Sequence, residues 1–162
     1  MKKIDLFVPR CADVRDEKEL ADYGVLVLSL VGDGVHTLFL RCALSASERY
    51  RNEDLHARVA EYAKAESQAK DAKTLLPYLS ETEKRVYNRG KNAHFKTVPK
   101  HATKYEYSLA TAFEALTGYL YLSGKTDRLC ELYKILYEES DTEVKESDTE
   151  TLQSLNKEEK KI

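Results

Sequence analysis

Apolar residues recur at helical spacing along most of this chain, and the pattern predicts five or six helices. Between residues 52 and 79 they alternate with charged residues until Pro77 interrupts them, which predicts two helices with a short break. Residues 107–122 are apolar enough for a buried helix closed by Gly124, and residues 127–137 are amphipathic. We therefore expect an all-α fold.

Ser80 and Glu83 mark the start of one of these helices. A Ser followed three residues later by Glu is a capping box, in which each side chain binds a backbone amide left free at the helix start. This predicts a helix from 81 to about 89, ended by Gly90. Residues 90–103 have no helical period and are interpreted as a long loop, and long loops in compact domains are usually functional.

The segment from Val25 to Leu40 does not fit the helical pattern. Its β-branched residues lie on both sides of Gly32, Asp33 and Gly34. By propensity alone, that arrangement predicts two strands and a hairpin turn.

Length and composition indicate a single globular domain. The chain has 162 residues, of which 42% are apolar and 33% charged, with only six Gly and three Pro. These values exclude a disordered chain, a collagen-like repeat and a small disulfide scaffold, and they favour helices over a sandwich or barrel.

The cysteines and the apolar runs bear on the compartment. Three cysteines without a CxxC pair indicate neither a disulfide framework nor a zinc site, so a reducing compartment fits best. The longest apolar run, residues 23–32, is shorter than the about 20 residues that a bilayer requires. We expect a cytoplasmic protein with no membrane partner.

The net charge of −2 conceals two opposed segments. Residues 84–104 contain seven basic residues and no acidic one, whereas residues 138–150 contain seven carboxylates and one lysine. The basic segment suits a polyanion. Residues 140–162 are poor in aromatic residues and rich in Glu, Ser, Thr and Lys, so we expect an acidic, disordered tail there. The chain is thus divided into an N-terminal lead-in at 1–19, a domain at 20–139 and this tail.

Two carboxylates stand within apolar segments. Asp33 and Glu114 are each surrounded mostly by small residues at helical spacing, which would let two helices approach closely with an ion between them. Burying a carboxylate without a partner costs several kcal/mol, and a divalent metal would supply the missing charge. Alternatively, hydroxyls and backbone amides hold the carboxylates, or a basic residue from elsewhere pairs with them.

Three stretches of this chain resemble a known family. LVGDGVHTLFLR at 30–41 is similar to the signature helix of the ribonuclease III endonuclease fold, and ATAFEALTGYLYL at 110–122 is similar to its second acidic helix. NRGKNAHFKTVPKHA at 88–102 resembles a motif distinctive of the Mini-III ribonucleases, small bacterial members without a double-stranded RNA-binding domain. The likeness covers roughly residues 20–137.

The resemblance implies an all-α endonuclease domain at 20–139 that forms a homodimer and binds double-stranded RNA, with a role in maturing precursor ribosomal RNA, specifically 23S. It further implies that Asp33 and Glu114 are the catalytic residues and hold Mg²⁺, with Mn²⁺ as an alternative. Ser29 and Thr111 stand where full-length members have further acids. Gly34 and His36 also depart from the family pattern, and a histidine beside an apolar face is more often packed than functional.

Without a separate RNA-binding domain, affinity must come from the catalytic domain. The predicted RNA-binding residues belong to the basic loop and its flanks: Arg89, Lys91, Asn92, Lys96 and Lys100. A solvated run of surface charge is the alternative. Two other functions remain open, a catalytically weak dimer that binds structured RNA without cutting it, and a metal-dependent phosphohydrolase of small nucleotides.

Overall fold

The structure is a computed structural model that describes residues 16–46, 52–94 and 102–136, and in these ranges it contains helices and no strand. The elements, in chain order, are α1 (Glu17–Asp22), α2 (Val25–Ser45), α3 (Asn52–Tyr62), α4 (Ala65–Leu75), a 3-10 turn (Leu76–Tyr78), α5 (Glu81–Lys91), α6 (Lys104–Leu122) and α7 (residues 126–136). The all-α prediction is confirmed.

Helix α6 is the central element of the fold. Eleven of its 19 residues are buried, and α2, α4 and α5 all pack against it. Its last turn ends in a Schellman motif, in which the Lys125 amide donates to the Leu120 carbonyl and Gly124 takes a φ of 70°. The predicted buried helix closed by Gly124 is confirmed.

Helix α2 runs without interruption through the segment that propensity assigns to a hairpin. It is 21 residues long and includes Gly32, Asp33 and Gly34. Among the described residues it alone has the length and mean hydropathy, 1.5, of a membrane span. A core helix has the same profile, and α2 packs against α6 with Leu28, Val35 and Leu40 buried.

Helix α5 begins as predicted and ends differently. The capping box is present, with the Ser80 amide 2.8 Å from the Glu83 carboxylate. Gly90, however, lies inside the helix rather than ending it, and Asn92 is the C-cap. A Cβ on Gly90 would come within 2.7 Å of the Ala112 Cα, so this glycine is required for the contact between α5 and α6.

The predicted pair of helices before Ser80 is also present, as α3 and α4, with Pro77 in the 3-10 turn that follows. The predicted boundary at residue 19 falls within α1, which buries Leu20. Most of the predicted lead-in and the whole predicted acidic tail lie outside the described residues, so the domain boundaries stay predictions.

Candidate active site

The two acidic helices cross with their backbones in contact. A Cβ on Gly32 would lie 1.8 Å from the carbonyl oxygen of Glu114, and a Cβ on Gly118 would lie 2.0 Å from that of Leu28. Only glycine fits at these two positions, which is why α2 and α6 can approach so closely. The crossing brings the middle of α2 to the middle of α6.

Asp33 and Glu114 meet at this crossing. Asp33 is exposed, Glu114 is half-buried, and the negative charge of Asp33 acts on Glu114. Ser29, one turn before Asp33 on α2, donates a hydrogen bond of 2.5 Å from its hydroxyl to Oε2 of Glu114. The predicted pair of carboxylates is therefore brought together, and a hydroxyl holds one of them.

The pKa of Glu114 is raised to about 7. Burial is the largest cause, the Ser29 hydrogen bond opposes it, and the charge of Asp33 raises the pKa further. No Lys or Arg forms an ion pair with either carboxylate within the described ranges. The site thus has negative charge that no described side chain neutralises.

These residues fit a hard divalent cation. Mg²⁺ is usually bound through one or two carboxylates and keeps several waters, and here one exposed carboxylate lies beside a second that neutral groups hold. The described part of the chain contains no cluster of three or more His, Cys, Asp and Glu residues with metal-binding geometry. A site of this kind would therefore depend on few protein ligands.

Gln68 also belongs to this site and has no counterpart among the sequence predictions. It lies on α4 with only 2% of its side chain exposed, and its side chain lowers the pKa of Glu114. A single glutamine in an amphipathic helix carries no signal of burial. Its position becomes evident only when α4 packs against α6.

Two residues that depart from the family pattern, His36 and Thr111, have hydrogen-bond partners other than the two carboxylates within the described residues. His36 is fully buried, with Nδ1 2.8 Å from the Tyr133 hydroxyl, and burial lowers its pKa to about 4, so it is a neutral packed residue. The Thr111 hydroxyl donates a hydrogen bond to the Tyr107 carbonyl. Gly34, unlike Gly32, takes no part in the close approach of α2 to α6, because a Cβ there would meet nothing within 4 Å.

Three of the five predicted RNA-binding residues lie at the end of α5. Arg89 is half-buried and donates to the Tyr23 carbonyl at 2.5 Å, so it joins α5 to the connection between α1 and α2. Lys91 is half-buried and Asn92 is exposed. Lys96 and Lys100 lie outside the described residues. The end of α5 is near the carboxylates, because Gly90 contacts the Thr111 carbonyl, one helical turn before Glu114.

Two basic side chains of α5 border a groove of about 910 Å³. Arg85 and Arg89 lie on one side with Asn88 and Asn92, and residues 24–27 lie on the other. Arg85 is exposed and was not among the predicted RNA-binding residues. Arg85 and Arg89 therefore place positive charge at a groove between α5 and the start of α2.

Comparisons with known proteins identify the family to which this chain belongs. A family model described as Ribonuclease III domain matches residues 26–125. The chain is similar to Mini-ribonuclease 3 of Thermoanaerobacter sp. (strain X514), with 41% identity over 104 residues, covering 64% of this chain and 73% of that one. It is 35% identical to Mini-ribonuclease 3 of Clostridium tetani over 132 residues, covering 76% and 85%.

The fold is also similar to a solved structure. The crystal structure of protein FN1578 from Fusobacterium nucleatum matches with a TM-score of 0.68 and 30% identity, over 75% of this chain and 98% of that one. The chain belongs to the Mini-ribonuclease 3 group of the ribonuclease III family. This ribonuclease is accordingly an endoribonuclease of the ribonuclease III type, and the matched region contains both Asp33 and Glu114.

Proposed function

We propose that this chain hydrolyses phosphodiester bonds in double-stranded RNA with Mg²⁺ held by Asp33 and Glu114. The observation that carries the proposal is the pair of adjacent carboxylates at the crossing of α2 and α6, without a described basic partner. Mn²⁺ has the same preference for oxygen ligands and is the natural substitute.

Each residue of the pair has a distinct part in this chemistry. Asp33 is exposed, so it is accessible to both the metal and the RNA, whereas Glu114 is half-buried and oriented by the Ser29 hydroxyl. The chemistry that Mg²⁺ supplies is activation of water and stabilisation of charge on the phosphate. Water is the attacking group, so no side-chain nucleophile is required.

The basic end of α5 supports a duplex RNA substrate. Proteins bind a duplex mainly through its phosphates and 2′-hydroxyls, and Lys91 and Asn92 directly follow Gly90, which contacts α6 one turn before Glu114. In the sequence, Lys96 and Lys100 continue this basic segment. This segment has more basic residues than binding of a single nucleotide requires, and their number disfavours a phosphohydrolase of small nucleotides.

We further propose that the protein acts as a homodimer through the exposed side of α2. Leu26, Leu30 and Leu38 are exposed by 51%, 74% and 46%, and they recur at spacings of four and eight residues on one face. Contiguous exposed apolar patches mark interaction sites in soluble proteins. A second copy of this chain presents the same face and would cover it.

Family membership supports a cellular role in the maturation of precursor ribosomal RNA, with 23S RNA as the proposed substrate and the cytoplasm as the compartment. Among the described residues the two cysteines, Cys42 and Cys130, are both free, as expected in a reducing compartment.

Cleavage of a long RNA duplex tests the proposal. The purified protein should cut the duplex with Mg²⁺ and should lose this activity in EDTA. Asp33→Asn and Glu114→Gln should each lower the rate by about a hundredfold or more, because each removes a negative charge from the metal site with little change in shape.

Asp71→Asn is the matched control for these two variants. Asp71 is another half-buried carboxylate whose pKa burial raises, to about 6; it lies on α4, and neither Asp33 nor Glu114 is among the causes of its raised pKa. Its variant should cut at nearly the original rate. Duplex binding without cleavage by the unchanged protein would favour the alternative of a catalytically weak RNA-binding dimer.

A further inference from the structure

Gln68 has a buried amide that the fold leaves without a hydrogen bond. Only 2% of the residue is exposed, and its Nε2 has no hydrogen-bond partner in the described part of the chain. A buried donor without a partner destabilises the folded state, and native structures contain few of them. The presence of this amide therefore calls for an explanation other than stability.

The side chain of Gln68 is directed toward Glu114. Helix α4 packs along α6, and the amide lowers the pKa of the Glu114 carboxylate as a hydrogen-bond donor does, although it does not form a hydrogen bond of ordinary geometry. The Ser29 hydroxyl binds the same carboxylate from α2. Two neutral donors from two different helices thus face one carboxylate.

We propose that Gln68 is a positioning residue, which together with Ser29 orients the Glu114 carboxylate for binding a divalent cation between Glu114 and Asp33. The inference rests on the proposed function, since it assumes that these two carboxylates hold the metal. Gln68 acts through Glu114 and does not itself touch the substrate.

The neutrality of both donors has a chemical reason. A lysine or arginine at either position would orient the carboxylate equally well, but its charge would compete with the cation for the same oxygens. A hydroxyl and an amide restrict the carboxylate without neutralising it. Hydrogen-bonding partners of this kind commonly change metal affinity or activity by about 10- to 100-fold when removed.

Gln68→Met tests this role, because methionine is unbranched and similar in length but lacks the amide. The probe is Mn²⁺ alone, with binding to the RNA-free protein measured by electron paramagnetic resonance. We expect the dissociation constant to rise about tenfold. The melting temperature should stay the same or rise, since the variant no longer buries an unpaired donor.

Kinetics with duplex RNA provide a second measurement. At saturating Mn²⁺, kcat should fall while KM for the RNA stays unchanged, because the site is perturbed and the RNA-binding surface is not. Thr111→Val is the matched control: Thr111 is a buried polar residue one turn from Glu114 whose hydroxyl binds only a backbone carbonyl within the described residues. Its Mn²⁺ affinity should match that of the unchanged protein.

The results that would overturn the inference are specific. Unchanged Mn²⁺ affinity in Gln68→Met would show that the amide does not position Glu114. A lowered melting temperature that accompanies the loss of Mn²⁺ binding would show a role in the fold alone. If Gln68→Met does not fold, Mn²⁺ affinity and melting temperature are measured on Gln68→Leu instead. Repetition of either result in Gln68→Leu would overturn the proposal.

Asp33→Asn separates this inference from the proposed function. If Asp33→Asn loses Mn²⁺ binding while Gln68→Met retains it, the positioning role fails and the metal site stands. If Asp33→Asn binds Mn²⁺ as the unchanged protein does, the metal site itself is wrong, and the inference falls with it.

Discussion

Glu114 combines two requirements that oppose each other. Its carboxylate must be charged to hold a cation, yet burial and the neighbouring Asp33 raise its pKa to about 7, against an ordinary value of 4.5. Without a metal, the folded protein therefore favours the protonated form up to neutral pH. A bound cation would reverse this preference, because it stabilises the charged form.

This conflict predicts a pH-dependent loss of stability in metal-free protein. The pKa of Glu114 is higher in the folded state than in the unfolded state, so its contribution is fully favourable below about pH 4.5 and is lost as the pH rises to about 7. The loss should reach about 3 kcal/mol at neutral pH. Melting temperatures in EDTA across this range measure it.

Glu114→Gln isolates the effect, because the amide stays neutral and keeps nearly the same shape. We expect the variant to match the unchanged protein near pH 4.5 and to exceed its melting temperature by several degrees at pH 7. His36 acts in the opposite direction in both proteins, since its lowered pKa makes stability fall as the pH drops from 6.5 to about 4. Equal melting temperatures at pH 7 would show that Glu114 ionises without cost.

At the scale of helices, the site depends on how closely α2 approaches α6. Gly32 and Gly118 allow backbone contact, and this contact sets the distance between the Ser29 hydroxyl and the Glu114 carboxylate. The two glycines therefore act on the site although neither carries a side chain. Separating the helices should disturb stability and catalysis together.

Gly32→Ala tests this dependence. The new methyl group would lie 1.8 Å from the Glu114 carbonyl oxygen, which belongs to a rigid helix backbone, so α2 must shift. Overpacking of this severity should lower the free energy of unfolding by about 3 kcal/mol. Cleavage should also fall, because Ser29 and Asp33 move away from Glu114. Chemical denaturation and initial cleavage rates measure the two effects.

Gly34→Ala is the control on the same helix. A Cβ at Gly34 meets nothing within 4 Å of its own chain, and alanine favours a helix interior over glycine by about 1 kcal/mol. The Gly34 variant should therefore be as stable as the original or more stable. Similar destabilisation by both substitutions would mean that glycine at position 32 is not needed for helix contact.

The helices also show what the sequence alone could predict. The start of α5 follows from Ser80 and Glu83, because a capping box is a local signal and needs no tertiary information. The path of α2 does not follow from propensity, since its β-branched residues favour strands and only packing against α6 stabilises the helix. The family resemblance, rather than the local pattern, predicts helix there.

The same distinction applies to the site. Asp33 and Glu114 could be predicted, because a carboxylate in an apolar segment is unusual and the resemblance identifies both. The predicted helix end at Gly90 is wrong and Gln68 has no signal in the sequence, since each owes its importance to a contact with α6 that no local pattern contains. Burial of a polar side chain is a property of the packed structure.

At the scale of the whole molecule, one side of α2 packs against α6 and the other side remains apolar and exposed. Leu30 is 74% exposed, the most of any large hydrophobic residue described, and Leu26 precedes it by one turn. An exposed apolar face of this kind lowers the solubility of a monomer. A homodimer would bury both copies of the face around the helices that carry Asp33.

Leu30→Glu tests the proposed interface. A charge at the centre of an apolar interface would meet its own copy across the dimer, and both the desolvation and the repulsion oppose association. We expect light scattering after size-exclusion chromatography to report a monomer where the unchanged protein is a dimer. The helical circular dichroism signal should be retained, because so exposed a side chain contributes little to packing within the chain.

Tyr78→Glu, at a residue 49% exposed on the 3-10 turn, places the same charge on an apolar surface remote in sequence from α2 and should leave the dimer intact. If Leu30→Glu stayed dimeric, the exposed side of α2 would not be the surface that joins the two chains.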